Sequence, residues 1–171
     1  ADTGAVQTLV QKTDVAAVVD LSAGQTLAVG TLARTQDAAA LEVGREKGVG
    51  TLAVGADGLV LDNPNGAADI TVRAMVSGTA DKVLMKNGPG TAVFNNALNW
   101  SGTIQANQGE LSVVDPVSPI TATLTGPGTY SIGGSGTRTL AGDATGFFGT
   151  LLLKVGVTRI MDAAQLGGEG A

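Results

Sequence analysis

Short apolar stretches that alternate with polar residues recur along most of the chain. Residues 25–29, 59–62, 69–74, 82–86, 103–106, 110–114, 120–124 and 151–155 are rich in Thr, Val, Leu and Ile, and each is bounded by Gly, Asn, Asp or Pro. Alternation of period two puts successive side chains on opposite faces of an extended backbone, so these runs predict short strands. Asn65-Gly66 and Asn87-Gly88 mark turns, because both residue types tolerate positive φ. Helical periodicity is weak. Residues 36–47 contain Ala38-Ala39-Ala40-Leu41-Glu42 but are interrupted by Gly44, and residues 7–21 carry enough β-branched residues to be strand or helix.

Two motifs recur among the strands. Gly-x-Gly-Thr occurs at Gly48-Val49-Gly50-Thr51, Gly88-Pro89-Gly90-Thr91 and Gly126-Pro127-Gly128-Thr129, with Gly134-Ser135-Gly136-Thr137 as a further copy between units. A second motif reads aromatic-x-Gly-Thr, strand, Gly, strand. Its copies are Trp100-Ser101-Gly102-Thr103 followed by Gly109, and Phe147-Phe148-Gly149-Thr150 followed by Gly156. On this alignment Gly102 matches Gly149 and Gly109 matches Gly156. Repeats of this kind predict a solenoid, in which each unit buries its apolar face only by stacking on its neighbours. At about 20 residues per turn, some eight turns would fit.

Residues 86–113 resemble the autotransporter-associated β-strand repeat, the passenger-associated repeat of bacterial surface proteins. The match falls on Lys86, Gly88, Gly90, Thr91, Trp100, Ser101, Gly102, Thr103, Gly109, Leu111 and Val113, with a degraded second copy over residues 125–160. The resemblance implies a right-handed parallel β-helix carried outside a bacterial cell, whose repeats are structural rungs without catalytic residues. No membrane-barrel domain accompanies the repeats, so the resemblance implies a passenger segment or an independent secreted protein of the same rungs. The expected organisation is residues 1–21 as an N-terminal cap or exchanged strand, 22–160 as solenoid rungs, and 161–171 as a flexible tail.

Composition narrows the chemistry. Glycine accounts for 26 of 171 residues, about twice the usual ~7%. The 43% apolar content includes only one Trp, one Tyr and three Phe, which suits narrow strands and tight turns. With no Cys and no His, disulfides, thiol nucleophiles, imidazole bases and the commonest zinc sites are excluded. A Cys-free chain fits export through an oxidising medium; a start at Ala1-Asp2-Thr3 without Met is read as a mature chain left after signal-peptide removal, with a fragment as the alternative. The net charge is −5 and the ten Lys and Arg are scattered, so nucleic-acid binding is not expected. No apolar run reaches the ~18 residues of a membrane span, and insertion is not expected.

Asp57, Asp62 and Asp69 fall close together in the sequence, but their spacing fits neither an EF-hand loop nor a calcium roll and reads as polar turns. Gly88-Pro89-Gly90 and Gly126-Pro127-Gly128 lack the Gly-Lys-Ser/Thr of a phosphate loop, and proline removes an amide donor from each, so they read as corners. Trp100, Tyr130, Phe147 and Phe148 would line up either as a sugar-stacking strip or, as expected here, with Trp100 and one Phe plugging the core. No catalytic, cofactor or metal site is expected. The motif residues Gly88, Gly90, Thr91, Trp100, Gly102, Thr103, Gly109, Gly126, Gly128, Phe148, Gly149, Thr150 and Gly156 are expected to be structural. The expected role is a subunit of an extracellular filament or surface layer that joins copies of itself head to tail. The alternative is an adhesin or passenger segment that binds cell-surface glycans.

Overall fold

The computed structural model describes residues 2–167 and is a parallel β-solenoid of about seven turns. The alternating runs become strands because one side of each stacks inward while the backbone pairs with the turns above and below, at about 4.8 Å spacing. Every turn passes three faces. The third face is the most regular: β2 (Ala17–Val19), β4 (Leu41–Val43), β7 (Ile70–Val72), β10 (Thr91–Phe94), β12 (Glu110–Val113), β14 (Thr129–Ile132) and β17 (Thr150–Leu153) stack one per turn. Its two inward columns run Ala17, Leu41, Ile70, Ala92, Leu111, Tyr130, Leu151 and Val19, Val43, Val72, Phe94, Val113, Ile132, Leu153.

The other two faces begin as one. β1 (Thr3–Gln11) and β3 (Thr26–Arg34) are nine-residue strands that span both. In the next turns the chain breaks at the edge between them. β5 (Thr51–Val54) pairs with the first half of β3, and β6 (Leu59–Asp62) with the second half. β8 (Met75–Ser77) continues the first face, and β9 (Val83–Asn87), β11 (Thr103–Ala106), β13 (Thr123–Gly126) and β16 (Gly146–Phe147) continue the second. The first face has no strand in turns five and six. Backbone bonds from Val117 N to Leu98 O (2.9 Å) and from Ile120 N to Thr139 O (2.8 Å) carry the column across. β15 (Thr137–Leu140) and β18 (Val157–Ile160) then restore it, β18 opening an eighth turn.

Two expectations change. The turn is not uniformly about 20 residues: it runs from 19, where Thr91 lies beside Glu110, to 29, where Leu41 lies beside Ile70. Longer early turns leave room for seven complete turns rather than eight. In the N-terminal segment, β1 pairs from Thr3↔Thr26 to Gln11↔Arg34 and is the outermost rung of its own solenoid. The expected tail divides. Residues 163–166 form a 3-10 turn closed by a capping box between Asp162 and Gln165, and residues 168–171 lie outside the described residues.

The interior holds charge as well as ladders. Lys86 is fully buried between Leu61 and Ala106, and its Nζ donates to the carbonyls of Asn87 (2.6 Å), Gly88 (2.7 Å) and Gln108 (3.3 Å). Arg34, also buried, donates to Asn63 Oδ1 (2.7 Å) and the carbonyl of Ala39 (2.8 Å), while Asn63 Nδ2 reaches the carbonyl of Thr91 (2.8 Å). These groups satisfy main-chain oxygens at the corner between second and third faces, where no ladder bond can reach them.

Candidate functional site

The predicted motif residues occupy corners and strand starts. Thr91, Glu110, Thr129 and Thr150 stand beside one another at the start of the third-face strands. The glycines before them stack as Gly90, Gly109, Gly128 and Gly149. A Cβ on Gly109 would lie 2.3 Å from Gly90 O, and one on Gly149 1.9 Å from Gly128 O. The 38-residue spacing of Gly88 and Gly126 is therefore two turns. Gly48 belongs elsewhere: its unit leads into β5 on the first face, as Gly134-Ser135-Gly136-Thr137 leads into β15.

The second motif alignment is overturned by this register. Thr103 starts a second-face strand, whereas Thr150 starts a third-face strand. Phe147 pairs with Gly126, so Phe147-Phe148-Gly149-Thr150 is the counterpart of Gly126-Pro127-Gly128-Thr129, one turn on. Gly109 and Gly156 likewise precede strands on different faces. Glycine corners where a Cβ would strike the previous turn occur on more than one face, so the same local pattern arises on each. The expectation for the four glycines themselves holds. Gly102 and Gly149 sit where a Cβ would strike Lys82 O (2.1 Å) and Gly128 O, and Gly109 and Gly156 have φ of +64° and +95°.

Trp100, Tyr130 and Phe147 are buried, and Trp100 Nε1 donates to Lys82 O at 3.1 Å. Phe148 is the exposed member of its pair. The aromatics thus plug the core and form no continuous sugar-stacking strip. Asp57 lies in the Gly55–Gly58 loop, Asp62 ends β6, and Asp69 precedes β7. Among the described residues, no group of three or more carboxylate, His or Cys residues could hold a metal ion. No helix among them is long and apolar enough to cross a membrane. A cleft of about 370 Å³ runs where β3 crosses from first to second face, over Ala5, Gln7, Ala28, Gly30 and Thr31. Asp57 is its one carboxylate, so it offers no acid/base pair.

What sets this surface apart is its two ends. Of the 14 exposed large hydrophobic residues among those described, 12 lie in residues 1–21 or 147–171. At the N-terminal end these include Val6, Val10 and Val18; at the C-terminal end, Leu152, Leu153, Val157 and Ile160. The strands beneath them, β1, β2, β17 and β18, are the outermost in their stacks, with one edge unpaired. Such edges are templates for pairing with another chain. Lys154 Nζ, just beyond β17, binds Glu110 Oε1 at 2.5 Å, and Glu110 also accepts from Ser131 Oγ at 2.5 Å. Those bonds and the Lys154 charge hold the Glu110 carboxyl below its ordinary value despite the opposing effect of its burial. Compared with protein-family models, curated proteins and solved structures, the chain matches none of them.

Proposed function

We propose that this chain is a structural subunit of an extracellular filament or surface layer, assembled head to tail through its solenoid ends. The observation that carries the reading is the pair of unpaired, parallel strand edges, β2 and β17, at the two ends of the same apolar columns. A contact between opposite ends is heterologous and need not close, so it repeats into a polymer whose axis follows the solenoid axis. Leu151 and Leu153 end the columns that Ala17 and Val19 begin, so a second copy would continue both ladders in register. Lys154 and Asp20, of opposite charge, directly follow the same two strands. An extracellular bacterial setting is supported by the Cys-free composition and by the resemblance of residues 86–113 to the autotransporter-associated repeat.

Deleting residues 1–21 tests the reading. It should abolish polymerisation while the rungs around Trp100 stay folded, as judged by light scattering and Trp100 fluorescence. An intact chain that stays monomeric at high concentration, or polymers that form equally well without residues 1–21, would favour a glycan-binding passenger segment. The buried aromatics give that second reading no support of their own.

A further inference from the structure

The two ends are not cut alike. At the C-terminal end the third face stops at β17, in turn seven, while the chain continues for part of another turn. β18 lies on β15 along the first face, from Thr137↔Val157 to Leu140↔Ile160. The 3-10 turn follows at the second-face position, where Ala164 O accepts from Ala144 N at 2.9 Å. Gly167 closes it at φ +103°, and a Cβ there would lie 2.4 Å from Phe147 O. Residues 157–167 thus cover two faces of turn seven, and among the described residues nothing covers the third.

The N-terminal end has the matching shape. β1 is a continuous strand across first and second faces, and β2 supplies the third. A second copy seated flush on turn seven would place β1 where residues 157–167 lie, β2 on β17, and Leu9 on the column that ends at Phe147. With residues 157–167 in place, that flush seat is blocked on two faces of three. Their hold is modest: all four β18 side chains except Thr158 are exposed, as are Met161 and Leu166.

Resting on the head-to-tail reading, we propose that residues 157–167 are an exchangeable stand-in for the β1 strand of a second copy. The segment protects the growing end of the free chain, and assembly requires its displacement. The incoming copy replaces a short strand and a 3-10 turn with the nine-residue β1, continues the ladders on all three faces, and brings Asp20 to Lys154.

The absence of cysteine from the chain permits a reversible test on the full-length protein. Thr139 and Arg159 are paired neighbours on β15 and β18. Adjacent strands lie about 4.8 Å apart, within the Cα range of a disulfide. In the double variant Thr139→Cys/Arg159→Cys, oxidation locks the segment down. Polymerisation, followed by light scattering from sheared seeds, should be lost in the oxidised protein and return on reduction. A full-length Gly156→Val variant, which loosens the segment at a glycine of φ +95°, should assemble with a shorter lag than the unaltered chain. Equal growth of oxidised and reduced protein overturns the exchange and leaves head-to-tail assembly standing. No growth of the unaltered chain or of either variant, with circular dichroism showing all three folded, overturns the filament reading itself.

Discussion

At single residues, this solenoid is governed by how closely one turn lies on the next. Gly102 and Gly149 have no room for a side chain, since the space is filled by the carbonyl oxygens of Lys82 and Gly128. Gly102→Val and Gly149→Val should each destabilise by roughly 1–3 kcal/mol, read as a lower thermal midpoint. Gly66→Ala is the control: nothing lies within 4 Å of its Cβ position and its φ is not in the left-handed region, so the midpoint should stay put. Lys86 brings a pH dependence. Burial pushes its ammonium down from 10.5 to about 8, with Asp62 pulling the other way. Above pH 8 the unfolded chain binds more protons at this residue than the fold does, so stability rises with pH. Burial also pushes the Tyr130 hydroxyl above its ordinary 10.0, which reverses the trend once that tyrosine ionises in the unfolded chain. Urea midpoints should therefore climb from about pH 8 to about 10. In Lys86→Met that climb should vanish.

The elements show why a regular stack can carry an irregular face. Second-face and third-face strands persist through every turn, whereas the first face loses its strands in turns five and six. There Leu98, Trp100, Pro116, Pro119 and Ile120 crowd together beside Tyr130. Trp100 fills the gap with its ring and ties it to Lys82 O by its indole N–H. Trp100→Ala should cost about 3–5 kcal/mol, the usual range for a buried aromatic, measured by denaturant unfolding followed by circular dichroism. A clamp along the outer edge works at the same scale. Asp115 accepts from Lys47 and from Arg138, tying together segments 68 and 23 residues away in sequence. Those partners hold its carboxyl below the ordinary value, the Lys47 bond most of all.

Across the whole molecule, strands run across the axis and hydrogen bonds run along it. A polymer built end on end keeps that arrangement, so aligned fibres should diffract at about 4.7–4.9 Å along the fibre axis. A 4.8 Å repeat perpendicular to the axis would mean side-by-side packing and would contradict the end-to-end joint.

Sequence pattern alone was enough for many of the strands and for the glycines at their corners. Residues 59–62 and 103–106 were legible to the residue, because alternation of Leu or Ile with polar neighbours encodes one buried side and glycine encodes the close approach at each end. The inward place of Lys86 came from the structure: it lies two residues after Leu84 in an alternating run, but a charge invites an outward assignment. What the sequence could not decide was which corner stacks on which. Thr103 and Thr150 share a motif but belong to different faces, and Gly48 and Gly88 share one 40 residues apart without sharing a column. Register is a property of contacts between turns of 19 to 29 residues, and loops of unequal length between faces erase any fixed period. The same holds for the ends: β1 and β18 read as ordinary strands, and only the stacked structure shows that both present an unpaired edge and that residues 157–167 fill the seat into which β1 would fit.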